Sequence, residues 1–177
     1  KTTGSFNAEN HRELIHRIND IAASIRENGV QLSIFETNFL NRQEAITAAT
    51  EVSSYIKRAE GHMLVYLLIH DKEDREKFFK RYASVQENVS ILGSRLKDPD
   101  ARIILQRINE NISFFYHLGN TLLEVYDEDI KTDKGFIQEK YLDLIEKFHN
   151  AADVVRGDAL KISKLNVEFE SQKKESA

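Results

Sequence analysis

One proline and seven glycines in 177 residues leave almost nothing to interrupt a helix, and the apolar residues fall at helical spacing. From Leu14 a seam runs through Ile18, Ile21, Ile25, Asn28, Leu32, Phe35, Phe39, Arg42, Ile46, Ala49, Ser53, Ile56, Glu60, Met63 and Leu67 at steps of four and three. Heptads sustained over such a length predict long helices packed in coiled-coil fashion. The scarcity of breakers also speaks against an all-β fold. The first helix is expected over 8–70, after a disordered lead at 1–7. A rival reading breaks it near Asn41, since Asn41-Arg42-Gln43-Glu44 fits a capping box.

The remaining helices follow from their boundaries. Asp71-Lys72-Glu73-Asp74 offers a capping acceptor and early acidic residues to free backbone amides, so a second helix is expected over 72–96. Its seam is Phe78, Tyr82, Val85, Val89, Leu92 and Leu96, which can pack back on the first helix. Asp98-Pro99 marks the next start, with Asp98 as N-cap and Pro99 at the first helical position. A third helix over 99–128 carries Ile104, Ile108, Asn111, Phe115, Leu118, Leu122 and Val125. After a polar turn ending at Gly135, a fourth over 135–172 carries Ile137, Tyr141, Leu144, Phe148, Ala151, Val155, Asp158, Ile162, Leu165 and Phe169. The expected fold is therefore all-α, one domain over 1–177: an antiparallel up-down four-helix bundle with long first and last helices.

Unequal helix lengths leave the base of the first helix and the end of the fourth projecting as a two-helix stalk. Two apolar stripes cannot be buried by two helices alone, so a parallel homodimer is expected. Asn28, Arg42 and Asp158 are the polar exceptions there and read as register-setting residues. Four helices also place both chain ends at one end of the bundle.

Tyr66-Leu67-Leu68-Ile69-His70-Asp71-Lys72-Glu73-Asp74-Arg75-Glu76-Lys77-Phe78-Phe79-Lys80-Arg81-Tyr82 resembles the first helical turn-around of four-helix-bundle sensor domains in bacterial and archaeal chemoreceptors and histidine kinases. Those domains share an aromatic-Leu-Leu run, a short polar turn and an aromatic-bearing helix. The resemblance covers roughly residues 45–125. It implies an extracytoplasmic, periplasmic or extracellular, ligand-sensing domain of a membrane receptor with membrane spans on both sides, in which a small molecule shifts helix packing. The class from which it must be told apart is a cytosolic helical scaffold or adaptor that presents a face to partner proteins.

Chemistry-bearing motifs are few. With no cysteine there is no disulfide, thiolate metal site or cysteine nucleophile. Glu146-Lys147-Phe148-His149 fits one half of a carboxylate di-iron motif and has no second copy. Neither a phosphate-binding glycine loop nor a nucleophile elbow occurs, so no catalysis, metal or cofactor is expected. A formal net charge of −4 speaks against a nucleic-acid partner. The sequons at Asn88 and Asn111 lie inside expected helices and read as chance matches, with Asn111 facing the core.

Glu60 interrupts the apolar seam between Ile56 and Met63, and a buried carboxylate is costly unless paired. Antiparallel alignment brings Arg81 and Tyr82 to its level, with His117 and Asn120 on the third helix and Arg58 and His62 nearby. One reading is a polar pocket in which Arg58, His62 and Arg81 meet an anionic small-molecule ligand, with Tyr82, His117 and Asn120 in its wall. In the other, Glu60 pairs with Arg81 and the remaining side chains are solvated.

Overall fold

The computed structural model describes the backbone of residues 8–132 and 138–175, and the side chains of 24, 26–32, 34, 37–132 and 139–167. Four helices and no strand occur among these: α1 (Ala8–Ile69), α2 (Lys72–Arg95), α3 (Pro99–Lys131) and α4 (Gln138–Glu175). The lead at 1–7, the seam side chains from Leu14 to Ile25, Phe35, residues 133–135 of the expected turn, Ile137 and Phe169 lie outside the described residues.

The chain divides into two units, Lys1–Leu40 and Asn41–Ala177. Burial explains the division. In the first unit the described apolar side chains Val30, Leu32, Ile34, Phe39 and Leu40 are exposed, whereas the core begins at Ala45 and continues through Ala48, Ala49 and Val52. Asn41, the alternative break point, is helical.

The second unit is an antiparallel four-helix bundle whose register can be read from its cross-links. Glu44 meets Arg95 and His62 meets Asp74 between α1 and α2. Arg75 meets Asp127 between α2 and α3, while Arg107 with Asp158 and Lys140 with Asp129 join α3 to α4. Glu60 and His149 close the ring from α1 to α4. At its centre Phe78, Phe115 and Phe148 pack together, the last two stacked at 4.1 Å. Stacked and tilted aromatic pairs of this kind add to the stabilisation from burial alone.

Local chemistry sets the boundaries. Asp71 is extended (φ −78°, ψ 113°) and accepts from Glu73 N at 2.9 Å, capping α2. Asp98 accepts from Asp100 N at 2.8 Å and Ala101 N at 3.0 Å, with Pro99 opening α3. The α2 seam from Phe78 to Leu96 is wholly buried. α3 is rotated slightly from its expected stripe: Leu105 and Ile112 are buried, while Asn111 is only half-buried and donates to Arg107 O at 2.9 Å. Two apolar side chains at 105 and 112 outweigh one at 104 and an amide at 111. Asp158 is 3% exposed and bound by α3 through Arg107, so its partner lies within the bundle.

Candidate functional site at the turn end

The level around Glu60 is assembled differently from either sequence reading. Glu60 is buried, and the group that hydrogen-bonds it is His149 on α4, not Arg81. That bond, followed by the carboxylate's charge, raises the imidazole of His149 above its ordinary value. His149 Nε2 also lies 3.3 Å from Asp153, which Arg156 approaches at 3.4 Å. Glu60 therefore faces the α1–α4 seam, because the rotation of α1 about its axis turns the α2 side toward Tyr55 and His62.

The expected ligand residues are distributed over several surroundings. Arg58 and Arg81 come together around Tyr55, their guanidinium carbons 5.8 and 5.7 Å from its ring centroid. Arg81 Nε is buried without a hydrogen-bond partner among the described residues. His62 Nδ1 meets Asp74 Oδ1 at 2.7 Å across α1 and α2. Tyr82 is buried and stacks on Tyr116 at 4.5 Å, and burial, with the neighbouring Tyr116 phenol second, raises its phenol. His117 is exposed and Asn120 half-buried on α3.

Polar side chains do converge, but at the end of the bundle that carries the α1–α2 turn. α1 stops at Ile69 because His70 turns into the left-handed region (φ 55°), its N–H donating to Tyr66 O at 2.8 Å. This closure usually falls to glycine, and a histidine holds it at a steric cost of about 1–2 kcal/mol. The His70 ring is placed 5.2 Å from Tyr66 and 5.6 Å from Tyr126, which themselves meet edge-on at 5.4 Å. An aromatic wall results.

Asp127 of α3 ties this wall to α2. It accepts from the Tyr66 hydroxyl at 2.8 Å and from Arg75 Nη2 at 3.3 Å. Burial, then the hydrogen bond to Asp127, pushes the Tyr66 phenol up to about 12, so it is a donor at any physiological pH. Two residues on, buried Asp129 accepts both of its Lys140 bonds at 2.6 Å and a further one from the Tyr141 hydroxyl. Burial, followed by that bond to Asp129, raises the Tyr141 phenol. The network thus links α1, α2, α3 and α4 at one end.

Beside it opens a groove of about 330 Å³ lined by Tyr66, His70, Lys72, Arg75, Glu76, Asp127, Ile130 and Lys131. Grooves elsewhere differ in chemistry. Between α2 and α3, about 440 Å³ is lined by uncharged residues including Gln86, Ser90, Asn109 and Ser113. No group of three or more metal-ligating side chains is gathered among the described residues.

Sequence reasoning missed this end. Asp129 stands four residues past Val125, the next step of the α3 stripe, so extending that stripe would have marked it as a buried carboxylate. Tyr66 and Asp127 carry no such signal, since their pairing depends on how α1 and α3 turn about their axes.

The sequence matches no family model and no curated protein. A chain of the solved structure described as "XylFII-LytSN complex" is similar in fold, with a TM-score of 0.64 at 12% identity, covering 72% of this chain and 98% of that one. At that identity the likeness is one of fold.

Proposed function

We propose that this chain is the extracytoplasmic ligand-sensing domain of a membrane-bound signal-transduction receptor, a methyl-accepting chemotaxis protein or a histidine kinase. The observation that carries the reading is the turn-end network, which ties four helices together beside an open, charged groove. A ligand held there touches α1, α2 and α3 directly, and α4 is tied to the same end of α3 through Asp129. Such a ligand shifts their packing only to the extent that it binds one arrangement more tightly than another. No catalytic step is needed, and no cofactor.

The fold likeness to a chain of the XylFII-LytSN complex supports the reading from another side. Since that chain belongs to an assembly, a protein partner is a second form the input can take. Among the described residues no helix is long and apolar enough to cross a membrane. In this proposal the spans flank the domain, and the exposed apolar side chains Val30, Ile34 and Phe39 favour a parallel homodimer.

A cytosolic scaffold is the second reading, favoured by exposed Leu68 and Ile69 beside the turn. The parent reading frame separates the two. An apolar stretch of about 20 residues on each side within roughly sixty codons is expected. Polar flanks on both sides would leave the scaffold in its place.

A further inference from the structure

The turn-end groove has a charge pattern that its internal network does not use up. Lys72 and Lys131 are exposed on its rim and make no ion pair with a described residue. Arg75 touches Asp127 through one nitrogen at 3.3 Å and lies 6.0 Å from the Tyr66 ring centroid, and its side chain is 43% exposed, so most of its N–H fork has no hydrogen-bond partner among the described residues. Asp127 already receives Tyr66 and Arg75, which leaves Glu76 as the one other carboxylate among the described residues lining the groove. A second anionic group on a ligand would meet that carboxylate. The rings of Tyr66 and His70 and the side chain of Ile130 give the same groove an apolar wall.

We infer that the groove binds a small organic monocarboxylate with an apolar or aromatic body. Its carboxylate meets Arg75 between Lys72 and Lys131, and its body lies against Tyr66, His70 and Ile130. Arginine is suited to this task because its planar fork matches a carboxylate. A ligand carboxylate also competes with Asp127 for Arg75. Binding thereby loosens the tie between α2 and α3 at the turn, which couples occupancy to helix packing. This inference rests on the ligand-sensing reading given above.

Titration calorimetry of the folded chain with benzoate and phenylacetate, with inorganic phosphate and succinate as comparators, tests it. Saturable binding of at least one monocarboxylate is expected, tighter than either comparator. Arg75→Gln should weaken it about tenfold or more, the loss of a charge-assisted hydrogen-bond pair, and Lys131→Gln by a few-fold. Lys131 is exposed and makes no ion pair with a described residue, so its variant keeps the test valid if Arg75→Gln unfolds. Absence of saturable binding by both monocarboxylates, tighter binding of phosphate or succinate, or affinity unchanged in Lys131→Gln would overturn the assignment. The flanking membrane spans are read independently, so spans without monocarboxylate binding would remove this inference and leave the receptor proposal standing.

Discussion

Gly119 sits where three other helices reach into the centre of the bundle. A Cβ there would meet Phe78 Cζ at 2.8 Å, Phe148 Cε2 at 3.3 Å and Met63 Cε at 3.5 Å. All three side chains are fully buried, so the rings have nowhere to withdraw. Gly119→Ala is expected to lose about 1–3 kcal/mol to overpacking, more than the gain in helix propensity returns. Gly157 on α4 has open space at the same position, and Gly157→Ala should stabilise by about 0.5–1 kcal/mol. Urea unfolding of the two variants checks both signs. Glu60 supplies the second residue-scale expectation. Because its hydrogen bond raises His149, the folded chain holds that proton more tightly than the unfolded chain, whose imidazole titrates near ~6.5. The stabilisation is complete below that value and is lost as pH rises through the folded value. Urea midpoints should therefore fall more between about pH 6 and pH 8 in the wild type than in His149→Gln. Equal falls would remove the pair from the account. The burial of Glu60 was legible from its place in an apolar seam; its partner was not, since seam spacing leaves the facing helix open.

Helix boundaries are the most local features of this chain, and for that reason the most legible. Asp71 and Asp98 announce themselves as capping residues, and Pro99 can occupy the first turn because the N–H it lacks would have no intrahelical acceptor there. Asp98→Ala removes the acceptor for two backbone amides and should cost about 1 kcal/mol, read from the thermal or urea midpoint. Asp98→Ser should recover most of it. The α3 stripe shows where element-scale reading stops. Ile104 and Leu105 are both apolar, as are Ile108 and Ile112, so two adjacent faces of the helix fit the core by pattern alone. Packing selected the face bearing Leu105, Ile112 and Phe115, and it carried Asn111 toward solvent. End extension has the same origin: α3 continues to Lys131 because Asp129 turns inward to Lys140 and Tyr141 instead of beginning a turn.

At the scale of the whole molecule, an even number of alternating helices gives the second unit two dissimilar ends. One end holds the polar and aromatic network around Tyr66, Asp127 and Asp129, together with the charged groove. The middle is an apolar core of stacked phenylalanines. The four-helix class was legible from heptads and breakers, whereas the place where polar side chains converge was not. Glu60 drew attention because it broke a pattern, while Tyr66 and Asp127 obeyed theirs. In the proposed receptor this end faces outward from a cell. Since the sequence contains no cysteine, a single Lys57→Cys at an exposed site on α1 makes a specific reporter. In intact cells carrying the full-length parent protein, a membrane-impermeant maleimide should label this variant, and not the wild type, before any permeabilisation. Labelling that appears only after the membrane is opened would contradict the receptor account and place the bundle in the cytosol.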